Sequence, residues 1–285
     1  MSVSIDLIGE IARNHLQHSR TTQWWVDSNQ KFTSAVTQEF SDLNGFFEFG
    51  TAGEVSIRNV DFGSITSAHL FGLDELIIFA WYEMNSSRYK KTLDLGANIG
   101  VHSMLMSKFG FEVTAYEPDP VHVSLFNQTM SDNTVESYEL RQKAIGIKSE
   151  KLNFTRVLGN TTGSHISGAK ANPYGELDVF EVEVDSIRDV VREKYDFVKM
   201  DVEGYETKLI SALEFEDFKS MDIMLEIGTS ENASDMFTEL KRLGIHAFSQ
   251  KTNWSEVEKL GDLPTSHREG SLFLTTSSEM NWERH

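Results

Sequence analysis

The densest collection of side chains able to do chemistry is the run KMDVEGYE, where Asp201, Glu203 and Glu206 are spaced by two and three residues around Gly204. Two more acids end short apolar runs of strand character, Glu117 after Glu112 to Tyr116 and Glu226 after Ile223 to Leu225. Carboxylates gathered in this way suit two kinds of chemistry. As hard oxygen ligands, Asp201, Glu203 and Glu226 could bind a divalent cation such as magnesium. Alternatively, one of them acts as a general base on a hydroxyl. Lys199 alternates with Asp201, so both side chains point to one side of their strand. A buried lysine there needs a partner, and Asp201 or Glu226 supplies it, which leaves Lys199 either as part of the chemistry or as one half of an ion pair. The nine histidines show no paired metal spacing such as HExxH. His102 lies one turn into a helix near the glycine turn described next, and His267 precedes the last strand and could reach the mouth of a site; a solvated surface position is the default for both.

These acids need a frame that brings strand ends together, and the stretch from Thr92 to Pro120 supplies it. A short apolar strand (Thr92 to Leu95) enters the turn Gly96-Ala97-Asn98-Ile99-Gly100. An amphipathic helical stretch then ends at Gly110, and a second strand ends at Glu117. This is a βαβ nucleotide-binding unit. Gly96 lets the backbone turn at the carboxyl end of the strand, and Asn98 is the non-glycine type that best tolerates a left-handed backbone. Free N–H groups at such a helix start attract an anionic group, and Glu117 can accept hydrogen bonds from two ribose hydroxyls.

The remaining pattern extends this unit in both directions. Apolar positions at Val3, Leu7, Ile8, Ile11, Ala12 and Leu16 have helical spacing, and Trp24-Trp25 reads as the anchor of an extension. Phe46 to Phe49 and Glu54 to Val60 predict a small β element, and Leu70 to Met84 a largely buried helix whose Asp74 and Glu75 sit in the first turn, where the helix dipole favours negative charge. Past Pro120, a helix over 121–130 and a third strand within 138–145 precede a stretch from Lys151 to Val184 with a period of two. Its polar run 159–164 reads as an exposed loop in a hairpin-like insertion. Helices over 186–194, 205–213 and 233–243 alternate with strands at 197–200, 223–225, 246–249 and 271–275. The alternation predicts an α/β fold, a mostly parallel sheet with helices on both faces. Its strand-end acids Glu117, Asp201 and Glu226 converge on one crevice.

Composition narrows the partners. With 26 basic and 44 acidic residues the formal net charge is -18, which repels a phosphate backbone and argues against nucleic acid. The absence of cysteine removes disulfides, thiolate nucleophiles and cysteine-based zinc sites, and it suits the cytoplasm. The amino-terminal run is broken by Asp6, Glu10 and Arg13 and lacks a signal-peptide core. No stretch approaches the roughly 18 apolar residues of a membrane span. The length fits one domain with an extension.

LDLGANIGVHS, then YEPDP, then FVKMDVEGYE, then MLEIG, in that order, resemble the FkbM family of S-adenosylmethionine-dependent methyltransferases. The resemblance covers about Thr92 to Thr275, and its most specific block is the DVEG type. It implies a class I methyltransferase (Rossmann-like) fold with a seven-stranded sheet whose last strand is antiparallel. It implies O-methylation of a small hydroxylated acceptor, such as a sugar or a polyketide-like metabolite. Carried over by position, Asp94, Gly96, Ala97 and Asn98 flank the methionine part of the cofactor, with His102 nearby. Glu117 takes the ribose hydroxyls, Pro118 borders the adenine, and Ala144 and Ile145 lie near the base. Asp201 and Glu203, with Lys199, face methyl transfer. The chain then divides into an extension, residues 1–69, that covers the cleft or makes a subunit contact in a homo-oligomer, and a methyltransferase domain, residues 70–285. Two rivals are an NAD-dependent oxidoreductase acting on a nucleotide sugar or alcohol, and a non-catalytic cofactor-binding protein. The first lacks the Gly-x-Gly-x-x-Gly spacing, and the second does not require acids at 201, 203 and 226.

Overall fold

A computed structural model describes residues 6–40, 44–168 and 175–283 of the chain. The elements in order are α1 (Asp6–Arg13), α2 (Gln23–Glu39), β1 (Asn44–Phe49), β2 (Gly53–Arg58), α3 (Leu73–Met84), β3 (Lys91–Leu95), α4 (Val101–Lys108), β4 (Glu112–Tyr116) and α5 (Pro120–Asp132). There follow β5 (Tyr138–Arg141), β6 (Ala144–Gly146), β7 (Glu150–Val157), β8 (His165–Ile166), β9 (Leu177–Ser186) and α6 (Ile187–Val191). The chain continues through β10 (Phe197–Met200), α7 (Glu206–Ser211), β11 (Asp222–Glu226), α8 (Ser230–Leu243), β12 (His246–Ser249), β13 (Ser255–Glu256) and β14 (Ser271–Thr275).

The main sheet has the order β13-β12-β14-β11-β10-β3-β4-β5. Strands β11, β10, β3, β4 and β5 are parallel, whereas β14 runs antiparallel to both β11 and β12. The sheet has eight strands, not the seven implied by the resemblance, because the chain after β12 turns back and adds the two-residue strand β13 at the edge.

Alternation along the central strands explains why helices cover both faces. Phe197, Met224 and Phe273 join one apolar cluster with α3, α4 and α5, while Val198, Ile223, Leu225, Leu272 and Leu274 join another with α6, α7 and α8. Strands buried on both faces are the rule for parallel sheets. The helix α3 is buried from Leu76 to Glu83 without a break, as its almost continuously apolar sequence requires.

Ahead of the sheet, Ile8 and Ile11 of α1 and Trp25, Phe32 and Val36 of α2 pack into the α3 cluster. Val3 lies outside the described residues, and Leu16 is exposed, because the α-helix ends at Arg13 and a tighter 3-10 turn over His15–Gln17 rotates that side chain to solvent. Strands β1 and β2 form an antiparallel hairpin.

The stretch read as one strand over 138–145 is divided between two sheets. Its first part is β5 of the main sheet; the chain bends at Gln142, where Lys143 N–H bonds the Arg141 carbonyl, and its second part is β6 of a four-stranded sheet ordered β6-β9-β7-β8. That second sheet is the insertion with the period of two. It stands over the carboxyl ends of the parallel strands.

Candidate active site

Gly96 adopts φ +80, and a Cβ there would overlap the carbonyl oxygen of Asp201. Glycine is therefore needed twice over, for the backbone angle and for the close approach of the first turn to the end of β10, where Asp201 N–H donates to the Leu95 carbonyl at 2.9 Å. Asn98 takes the left-handed angle its type allows, at φ 52. Its N–H donates to Glu117 Oε2 at 2.8 Å, and Asp119 N–H donates to Glu117 Oε1 at 2.8 Å. Glu117 is thus held by one backbone donor on each oxygen, and each oxygen keeps a lone pair for a further donor. Burial pushes its pKa up to about 8, against the pull of those two N–H groups.

Above this turn lies a cleft of about 610 Å³, part of it open to solvent. Gly96, Asn98, Glu117 and Pro118 form one wall, Ala144 and Ile145 a second, and Asp201 and Glu203 close the end. Four segments far apart in sequence meet there. Asn98 Oδ1 is buried and has no hydrogen-bond partner, an acceptor that a donor-bearing ligand would satisfy.

Other residues singled out in the sequence stand behind the cleft. Asp94 is buried, accepts from Ser103 Oγ at 2.6 Å, and has its pKa raised by that burial. Ala97 is buried, with its N–H on the Tyr116 carbonyl. The His102 ring sits between Tyr82 Oη at 2.9 Å and Glu75 Oε2 at 3.0 Å. Lys199, 2% exposed, places Nζ 3.2 Å from Asp201 Oδ2. Its burial works against the charge, but Asp201, Glu226, Glu75 and Asp94 outweigh burial and hold the ammonium above the ordinary lysine value. Asp201 answers in kind: burial works against its charge, and Lys199 holds it below the usual carboxylate range. Glu206 turns back instead, accepting from Val202 N–H at 2.9 Å and from Gly204 N–H, so it braces the DVEG turn. That turn carries Glu203 at φ 53.

Glu226 and His267 form a second pair across the same crevice. Glu226 Oε2 lies 3.5 Å from His267 Nδ1. Burial and the charge of Asp201 push Glu226 up to about 7. The bond to Glu226 lifts His267 to about 9.

Asp201, Glu203 and Glu226 do not form a metal-holding set: among the described residues no group of three His, Cys, Asp or Glu side chains is placed to hold a metal ion. The physical reason is that the protein's own cations sit against the carboxylates, Lys199 at Asp201 and His267 at Glu226.

Two features escape a local reading of the sequence. The run 159–164, read as an exposed loop, contributes Thr161, Thr162 and Ser164 to the cleft. It is pinned there by Thr161 N–H to the Phe62 carbonyl at 3.0 Å and by Ser64 N–H to the Gly159 carbonyl at 2.8 Å. His122, on α5, also lines the cleft and bonds Thr161 Oγ1 at 3.1 Å. Glu75 does lie in the first turn of α3, and it also faces the crevice through His102; its sequence signal is an acid in an otherwise apolar helix.

A parallel sheet with a glycine turn after its first core strand and an acid at the end of the next is the frame of a protein that binds a ribose-bearing ligand. Residues 94–246, more than half of the 285, match the methyltransferase FkbM domain, and the chain belongs to that family. Methyltransferase is accordingly its class of activity, with S-adenosylmethionine as the implied donor. Among solved structures, a SAM-dependent methyltransferase from Agrobacterium tumefaciens is similar at 11% identity and TM-score 0.43, over 84% of this chain and 71% of that one. Monomeric WbdD is similar at 12% identity and TM-score 0.41, over 74% and 42%. Precorrin-6y C5,15-methyltransferase from Geobacter metallireducens is similar at 10% identity and TM-score 0.37, over 68% and 86%. No curated protein sequence matches the chain. Among the described residues no helix is long and apolar enough to cross a membrane.

Proposed function

We propose that this chain transfers the methyl group of S-adenosylmethionine to a hydroxyl oxygen of a small hydroxylated acceptor, such as a sugar. The observation that carries the reading is the convergence of Asn98, Glu117, Ala144 and Asp201 on one cleft. The residues present fit the cofactor: Glu117 keeps free lone pairs for two ribose hydroxyls, Asn98 Oδ1 is an unpartnered acceptor for a donor of the methionine part, and Pro118, Ala144 and Ile145 offer surface to the base. Gly96 and Ala97 shape the turn, while Asp94 and His102 support it from behind through Ser103 and Glu75.

When bound, the cofactor supplies a methyl carbon already activated by a positive sulfonium. What remains for the chain is alignment of the acceptor oxygen and weakening of its O–H bond. Asp201, kept ionised by Lys199, can accept a hydrogen bond from the acceptor hydroxyl and hold it in line, with Glu203 beside it. Residues 1–69 act as a cover docked on the domain of residues 70–285, through Trp25 and its neighbours.

The test is calorimetric titration of the purified chain with S-adenosylmethionine, followed by transfer of labelled methyl to a panel of sugars and hydroxylated metabolites. Micromolar binding and label on oxygen support the reading. Binding with label only on nitrogen or carbon overturns the O-methyl assignment, and no binding at all overturns the whole.

A further inference from the structure

We propose that Arg156 is a positioning residue for the cofactor: through Asp119 it holds Glu117 in place for the ribose, and so makes cofactor affinity depend on the insertion sheet. The inference rests on the reading above that S-adenosylmethionine occupies the strand-end cleft, and deepens it. Arg156 lies near the end of β7 and grips Asp119 with a fork, Nε donating to Oδ2 and Nη2 to Oδ1, each at 2.6 Å. Paired bonds of this kind fix orientation as well as distance. Asp119 has no exposed surface. It also caps α5, its Oδ1 accepting from Val121 N–H at 2.8 Å. Burial works against its charge, and Arg156 outweighs burial and holds the carboxyl below its usual range.

What separates this pair from an ordinary brace is where each side leads. On one side, Asp119 N–H donates to Glu117 Oε1 at 2.8 Å. The residue that Arg156 grips by its side chain thus aims, by its backbone, the acid that faces the ribose. On the other side the guanidinium is itself preset by the insertion. Nη1 donates to Asp178 Oδ2 of β9 at 2.9 Å, and the group lies over the Phe180 ring, 4.8 Å from its centroid. Phe180 packs against Phe154 at 5.6 Å between centroids, and Phe154 lines the cleft. One side chain therefore joins both long strands of the insertion to the turn after β4. Other ties hold the sheet in place: His122 bonds Thr161 Oγ1, Thr161 N–H bonds the Phe62 carbonyl, and Ser64 N–H bonds the Gly159 carbonyl. Loss of Arg156 loosens the turn without releasing the insertion.

The experiment is calorimetric titration of S-adenosylmethionine into the full chain as wild type, Arg156→Met, Arg156→Lys, Glu117→Ala and the double variant Arg156→Met/Glu117→Ala, with folding checked by circular dichroism. Arg156→Met should raise Kd about tenfold. Arg156→Lys keeps the charge but not the fork, and its rise should be smaller. Once Glu117 is Ala, adding Arg156→Met should change Kd by less than about twofold, because the two residues act in one chain of contacts. Should the unpaired Asp119 unfold Arg156→Met, Arg156→Met/Asp119→Asn removes the buried charge with its partner and takes its place in each comparison, with the same expectations. Wild-type affinity in the folded variant overturns the inference. So does a tenfold loss that persists in the Glu117→Ala background, or one as large in Arg156→Lys as in Arg156→Met, since these mark a general loosening that does not pass through Glu117. If wild type binds no S-adenosylmethionine, the cofactor reading fails first, a result separable from every outcome of the variants.

Discussion

Two of the clusters of buried polar side chains in this molecule differ in how their charges and hydrogen bonds are balanced. Where the extension meets the main sheet, Asp74 accepts from Trp25 Nε1 at 3.1 Å and Gln250 Nε2 at 2.6 Å through one oxygen and from Arg20 through the other. Gln250 in turn accepts from Ser271 N–H at 3.1 Å. Nearby, burial drives the pKa of His18 down to about 3. The neutral ring donates from Nε2 to the Ile11 carbonyl at 3.0 Å and accepts at Nδ1 from Trp254 Nε1 at 2.9 Å. Each charged group here has its partner, and the polar atoms left without one, Trp282 Nε1 and Ser249 Oγ, are neutral.

At the strand ends the balance is different. Lys199 faces Glu75, Asp94, Asp201 and Glu226, and Asn98 Oδ1 has no partner. Burial of polar groups is thus no signature of a site in itself. A satisfied network holds two parts of a chain together; one with surplus charge and spare acceptors waits for a ligand.

The largest way to break this contrast is Lys199→Met, which removes the cation and leaves the surrounding carboxylates unpaired. Urea unfolding should show a loss of about 3–5 kcal/mol. Arg20→Met, at the half-exposed edge of the docked region, should cost about 1 kcal/mol or less. Equal losses in the two variants would mean that the crevice is no more charged than the joint.

Asp201→Asn keeps shape and removes charge at the proposed transfer site. Turnover should fall about a hundredfold while the calorimetric cofactor affinity stays within a few-fold. Because Lys199 and His267 sit against the acids, a chelator should leave wild-type turnover unchanged. Full turnover in the variant, or loss with a chelator and recovery with magnesium, would contradict these assignments.

In the docked region, Asp74→Asn weakens bonds to Arg20, Trp25 and Gln250. It should lower stability by about 1–2 kcal/mol and leave cofactor affinity alone. A change in affinity without a change in stability would erase the distinction between the two regions.

The last test is pH dependence. Burial raises Glu117 to about 8, and Glu206 and Glu226 to about 7, from the ordinary glutamate value of 4.5. In the folded chain these carboxyls keep protons that the unfolded chain has released. Their stabilisation is fully present below the unfolded value and is lost as pH rises through 7 and 8. The carboxyls held low, Asp201, Asp119 and Glu75, contribute stability above their unfolded values and lose it only in stronger acid. Melting of the free chain between about pH 5 and 9 should show the midpoint falling, by roughly 2–4 °C for each kcal/mol lost. A midpoint that rises over this range would contradict the burial of protonated carboxyls.

What the sequence made legible follows the range over which each feature is determined. The turn at Gly96 and Asn98, the acid ending β4, and the pairing of Lys199 with Asp201 depend on neighbours a few residues away, through backbone angle or strand alternation. The helix α2 was less visible, because Trp25, Phe32 and Val36 are its few buried apolar residues among many polar ones. The position of 159–164 over the cleft depends on Phe62 and Ser64, about a hundred residues earlier, through backbone hydrogen bonds that carry no side-chain signal. The pairing of Glu226 with His267 likewise needs the antiparallel return of β14, and nothing local announces it.

The most direct measurement is calorimetric titration of S-adenosylmethionine into wild type and into Glu117→Ala, with folding of both checked by circular dichroism. Removing the acceptors for two ribose hydroxyls should weaken binding by about 1.5–3 kcal/mol for each bond lost, which is at least a tenfold rise in Kd, with the fold retained. Equal affinity in a folded Glu117→Ala chain would contradict the claim that the strand-end cleft is where the cofactor binds.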